Sequence, residues 1–186
     1  MLPEWVREIR QYQYVPLSVV LLGVLFIHPY LDDTPVQSNL ADFLLFTLIA
    51  AIPAMAVFAL VEDRRKLLVG IVLGVPATLS IVLQELAEGI FPLWVTQVAP
   101  LAFYVYATAV ICYHVVTERR VRADTLLGAV CGYLMLGYTW AVAYAVLIDS
   151  SPQAFREGSG YADAGDVFYF SFVTLTTLGY GDIVPL

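Results

Sequence analysis

Charge is what this sequence has least of. Charged residues fill 13% of the 186 positions while hydrophobic residues fill 60%, which excludes an ordinary water-soluble globular domain. Basic residues are the scarcer sign, nine Lys and Arg against sixteen Asp and Glu, for a formal net charge of −7. That sign argues against a nucleic-acid partner. Cysteine and histidine are almost missing: Cys112, Cys131, His28 and His114 are all there are. No Cys-x-x-Cys spacing appears, so a protein-held metal cluster is not expected, and both thiols fall in apolar runs where cysteine packs as a small hydrophobe. Low-complexity tracts, tandem repeats, a phosphate-binding glycine loop and a Ser-His-Asp set are absent too. Charged residues are missing within the apolar runs, where such groups mark transport pathways or catalytic centres. An enzyme, a cofactor or a small-molecule substrate is therefore not expected.

What is present is apolar length. Five uncharged stretches, Tyr14 to Leu31, Phe43 to Val61, Leu67 to Gln84, Leu93 to Val116 and Leu126 to Ile148, each suffice to cross a hydrocarbon core as helix. The first differs from a signal peptide: Leu31-Asp32-Asp33 stands where small residues would be cleaved, and Glu4 and Glu8 dilute the positive flank. It reads as a retained anchor. Basic residues cluster at alternate ends, as Arg7 and Arg10, then Arg64, Arg65 and Lys66, then Arg119, Arg120 and Arg122. The positive-inside bias makes this a multi-pass protein of the cell membrane with a cytoplasmic N-terminus, and the segment after Ile148 emerges outside. The outward loops gather Asp32, Asp33, Asp42, Glu85, Glu88, Asp149, Glu157, Asp163, Asp166 and Asp182 against Arg156 alone. Such a surface concentrates cations.

Prolines at Pro16, Pro53, Pro76 and Pro100 interrupt the spans and predict kinks. Gly70-x-x-x-Gly74 and Gly128-x-x-x-Gly132 set paired glycines on one helix face, where helices can approach closely. The natural division is a four-span block, residues 1–123, followed by a segment over 124–186.

Within that last segment, Asp149 to Gly165 is polar and turn-rich, an exposed outer loop. Asp163 or Asp166 can cap a short helix running to about Thr176. At roughly ten residues it is too short to span, which predicts a re-entrant helix whose C-terminal end points into the membrane. After it comes Thr176-Thr177-Leu178-Gly179-Tyr180-Gly181-Asp182. Nonhelical backbone at that depth is tolerable only when buried in protein or lining a wet cavity.

The run from Tyr169 through Asp182, YFSFVTLTTLGYGD, resembles the pore helix and signature of tetrameric pore-loop potassium channels. The resemblance covers about Asp124 to Leu186 and implies a fold: an all-α integral membrane protein with five transmembrane helices, a re-entrant pore helix and a selectivity-filter loop. It further implies that four copies form one pore, with potassium as permeant ion and the lipid bilayer as surroundings. The Thr177 hydroxyl and the carbonyls of Thr177, Leu178, Gly179 and Tyr180 would replace the ion's water, with Gly181 completing the filter. Tyr180 would turn its ring into an aromatic cuff supplied by Tyr169 and Phe170, Thr176 would support the filter from below, and Asp182 would stand at the outer mouth. Leu178 replaces the commoner valine, and Val173 stands where several relatives carry a glutamate that pairs with the aspartate matching Asp182. That pairing is not expected here.

Four spans before a pore segment also resemble voltage-gated channels, but Leu93 to Val116 carries no arginine or lysine, so no arginine-rich voltage sensor is expected. Two other functions stay open: a nonselective cation channel, and a nonconducting or dominant-negative membrane subunit. The second is motivated by the chain stopping at Leu186, before the inner helix that such a pore requires.

Overall fold

The computed structural model describes residues 12–32, 39–60, 64–86, 93–118, 121–158 and 160–186. Glu4, Arg7, Glu8, Arg10, Asp33, Glu88, Arg119 and Arg120 lie outside the described residues. Five long helices occupy the five apolar stretches: α1 Val15–Asp32, α2 Asn39–Ala59, α3 Arg64–Leu86, α4 Leu93–Thr117 and α5 Ala123–Ser150. A three-residue strand β1 (Phe155–Glu157), a two-residue strand β2 (Gly160–Tyr161), the short helix α6 (Ala164–Leu175) and the strand β3 (Ile183–Pro185) follow. Three of the helices contain apolar lengths sufficient to cross a membrane, Arg64–Leu83, Gln97–Thr117 and Ala123–Ser150. The apolar parts of α1 and α2 are shorter, Val15–Ile27 and Phe46–Ala59.

The chain forms two compact units, Met1–Leu134 and Met135–Leu186, with α5 contributing to each. In the first, α1 packs on α2, α2 on α3 and α4, and α3 on α4. The buried residues follow helical spacing: Leu17, Leu21 and Val24 on α1, and Phe103, Ala107 and Ile111 on α4. The small-residue pairs lie at close approaches. A Cβ on Gly74 would meet Val57 at 3.0 Å and Phe103 at 3.1 Å, and one on Gly128 would meet Tyr14 and Val115 at 3.0 Å. Lys66 lies over the Tyr113 ring at 5.5 Å while its carbonyl accepts the Tyr106 hydroxyl at 2.8 Å, which pins the basic start of α3 to α4.

Hydroxyls within these helices bond back to their own backbone, as Thr78 does to Gly74, Thr117 to Tyr113 and Thr139 to Met135, at 2.9, 2.7 and 2.7 Å. That is how threonine is accommodated in apolar surroundings. Among the described residues, no buried side-chain nitrogen or oxygen lacks a partner. Pro53, Pro76 and Pro100 sit inside α2, α3 and α4, which continue through them. Pro16 is different from expectation. It is the second residue of α1, where the first-turn N–H needs no helical acceptor, so it starts the helix rather than interrupting it.

The second unit adds to the helices a three-stranded antiparallel sheet of order β2-β1-β3. The stretch read as an open outer loop thus contains a hairpin. Strands of two or three residues carry no periodic signal, and these are held by packing: Phe155, Ala162, Val167 and Ile183 form a buried cluster against Tyr144, Ile148 and Phe170.

Candidate functional site

Helix α6 begins at a reciprocal cap. The Asp163 carboxylate accepts from the N–H groups of Gly165 at 2.8 Å and Asp166 at 3.1 Å, while Asp166 accepts from the Asp163 N–H at 2.7 Å. Both candidate caps are used, one in each direction. The helix is seated on α5 at Gly137, whose carbonyl accepts the Ser171 hydroxyl at 2.8 Å. The Phe172 ring lies against that glycine, so close that a Cβ there would stand 2.6 Å from two ring carbons. Aromatic contacts extend the seat on two sides: Tyr138 with Phe168 and Phe172, and Tyr144 with Phe155 and Phe170, at ring separations of 5.2 to 5.9 Å.

The helix ends at Leu175 with Thr176 as C-cap, the Thr176 hydroxyl bonding to the Phe172 carbonyl at 2.7 Å. The chain then reverses in a specific way. The N–H groups of Leu178 and Gly179 both reach back to the Val173 carbonyl, at 3.1 and 3.4 Å. In a trans peptide the C=O points opposite to the N–H of the same unit, and no peptide here is cis. The carbonyls of Thr177 and Leu178 therefore both face away from the end of α6. Two successive carbonyls on one side is what an extended strand cannot provide.

The dihedrals that produce this alternate in sign. Thr177, Gly179 and Gly181 have φ of 61°, 55° and 76°, whereas Leu178 and Tyr180 are not in the positive region. For glycine the left-handed region is free, but for a β-branched threonine it is an outlier that persists only when the surroundings enforce it. Residues 177–182 are all exposed, and Tyr180 and Leu178 leave 68% and 59% of their surfaces open.

Asp182 closes the loop. One carboxylate oxygen accepts the Tyr169 hydroxyl at 2.8 Å and the other accepts the Ile183 N–H at 3.0 Å. The Tyr169 bond is the main cause holding the carboxyl below its ordinary range, with the Ile183 amide assisting against partial desolvation. Sequence reasoning expected no support for Asp182 from position 173 and assigned Tyr169 to the aromatic cuff, missing its bond to Asp182. The available signal was spacing: Tyr169 is one turn before Val173 on the same helix face, and its hydroxyl reaches farther. Phe170 packs on Tyr144 and Phe155 at 5.3 Å.

Because the folded carboxyl is depressed, its stabilisation is present above the unfolded value and lost as pH falls through the folded one. Tyr169→Phe should move that acid loss of order at the outer end of the loop to higher pH. Titration of the Asp182 carboxyl by NMR in both proteins checks this, and an unchanged midpoint would show that the hydroxyl does not set it.

A family model described as Ion channel matches residues 125–186, which contain the site. The match supports an ion channel pore domain. No curated protein and no solved structure matches the chain. The pore domain's matched region is about a third of the sequence, and the helices before it fall outside the match.

Proposed function

We propose that the chain is a subunit of a potassium-selective channel, four copies of which surround one pore in the cell membrane. The observation that carries this reading is the turning of the Thr177 and Leu178 carbonyls to one side by the bonds of Leu178 and Gly179 to Val173. A ring of such carbonyls replaces the hydration shell of a cation without a charged ligand. In this reading Thr177, Leu178, Gly179 and Tyr180 line the ion sites, Gly181 allows the exit turn, and the exposed faces of Leu178 and Tyr180 pack on neighbouring copies. Five helices cross the membrane, with the basic start of α3 and the arginines that precede α5 cytoplasmic, and α6 enters from outside as a re-entrant helix. Its C-terminal end then offers partial negative charge to the ion.

The pathway needs no catalytic group, and no arginine-rich sensor is present in Leu93–Thr117 to make opening steeply voltage-dependent. The acidic outer residues Glu157, Asp163, Asp166 and Asp182 raise the local cation concentration. Flux of potassium and of sodium into liposomes holding the purified protein tests the proposal. Potassium flux far above sodium flux is expected. Equal rates would make this a nonselective cation channel, and no flux of either would remove conduction from the reading.

A further inference from the structure

The hairpin after α5 is bonded to the strand that leaves Asp182. β1 pairs with β3 in the register Phe155–Pro185, Arg156–Val184 and Glu157–Ile183, and the Leu186 N–H donates to the Ala154 carbonyl at 2.9 Å. Antiparallel ladders alternate bonded and nonbonded pairs. With 154 and 186 bonded, Arg156 and Val184 form the next bonded pair. Pro185, which has no N–H, falls opposite Phe155 where none is needed. Phe155 and Ile183 turn inward into the cluster that contains Val167 of α6. The loop's outer end is thus tied to α6 through β1 as well as through Tyr169.

Glu157 lies at the rim of this contact. It is two residues from Phe155 and so on the same face of β1. Across the ladder it pairs with Ile183, next to Asp182, and Phe155 on its own face packs with Val167, next to Asp166 in the first turn of α6, so that Asp166, Asp163 and Asp182 all act on it with the same charge. Asp163 and Asp166 hold each other's backbone in the cap, and Asp182 is held by Tyr169, so none is free to turn away. Arg156 projects from the opposite face of its strand, toward the side shared with Tyr161 and Val184. The Asp166 charge, then desolvation, then a hydrogen bond with Asp166 raise the Glu157 carboxyl above its ordinary range, with smaller contributions from Asp163 and Asp182. Among the described residues, no group of three or more acidic, His or Cys side chains is disposed to hold a metal ion.

We propose that the β1–β3 ladder is a brace on the outer end of the Thr177–Asp182 loop, and that a proton taken up by Glu157 tightens it. The docked hairpin binds this proton more strongly than an undocked one. The brace is therefore strongest within and below the ordinary carboxylate range and weakens as pH rises through the raised value. Asp182, depressed by Tyr169, remains charged through that window, so the two titrations separate. The consequence for flux rests on the channel reading: a tightened brace sustains conduction in mildly acid outer solution. The brace itself does not depend on that reading.

Hydrogen exchange of the Val184 and Leu186 amides in the membrane-embedded protein, corrected for intrinsic rates, tests the brace at about pH 7.5 and about pH 4.5, above and within the ordinary carboxylate range. Protection several-fold higher in acid is expected for the wild type. Glu157→Gln should give the higher protection at both values, and Arg156→Pro, which removes a ladder donor, the lower at both. Equal wild-type protection at the two values, or a Glu157→Gln protein that still titrates, overturns the proposal. Potassium flux on the same samples separates the two readings. The expected protection shift without flux leaves the brace standing and the channel reading fallen, whereas selective flux with unchanged protection does the reverse.

Discussion

Replacing Gly137 with alanine is expected to destabilise the pore domain by about 1–3 kcal/mol or more, the range for overpacking a tight contact. The added Cβ would lie 2.6 Å from two carbons of the Phe172 ring and 3.1 Å from a third. The ring has little room to retreat, being held by Phe168 at 5.1 Å and Tyr138 at 5.9 Å. Moving the backbone of α5 instead would break the bond from Ser171 to the Gly137 carbonyl and leave a buried hydroxyl unpaired, about 1–3 kcal/mol by itself. Alanine also gains up to about 1 kcal/mol of helix propensity over glycine, which opposes the effect but is smaller than the two costs together. Thermal unfolding of the detergent-solubilised protein measures the loss. Phe172→Leu in the same protein should recover much of it, because the pair shares one contact and their effects do not add. Additive effects, or a neutral Gly137→Ala, would mean that α6 is not seated here.

The long helices were legible because apolar length is a one-dimensional property. Tyr14 to Leu31 and Leu93 to Val116 differ from the observed α1 and α4 by a residue or so at each end, and polar neighbours fix those ends. The cap of α6 was legible to within its two aspartates for the same reason: a carboxylate beside the first turn has few other local uses. Pro16 was misjudged because its effect depends on distance from a helix start that hydropathy places only loosely. The β hairpin was invisible. Its strands are too short for alternation to register, and Phe155 is drawn inward by Tyr144 and Phe170, residues from two helices.

The site divides along the same line. Glycines 179 and 181 and the paired threonines announce an unusual backbone, but the sign of φ at Thr177 and the return of two N–H groups to Val173 are tertiary facts. Val173 was weighed for the side chain it lacks, whereas the structure uses its carbonyl. Gly137 carried no signal at all, since an isolated glycine in an apolar helix is common. It acquires meaning only when Phe172, 35 positions later, is placed on it.

Gly179→Ala should abolish selective potassium flux while leaving the helices folded. An added Cβ at this position meets nothing within 4 Å, so crowding inside the subunit is not the cause. The cause is φ of 55°, which costs an L-residue other than glycine about 1–2 kcal/mol. Rotating φ to a negative value relieves that cost by turning the preceding peptide, which withdraws the Gly179 N–H from Val173 and swings the Leu178 carbonyl off the side it shares with Thr177. In the proposed filter this removes one ring of ion ligands from every copy at once. Gly158 supplies the control: its φ is 52° and its surroundings are also open, but it lies in the hairpin turn. Gly158→Ala carries a similar dihedral cost and should leave the ratio of potassium to sodium flux unchanged. If both variants lose selectivity, general destabilisation is responsible. If Gly179→Ala alone remains selective, the carbonyls of this loop do not coordinate the permeant ion.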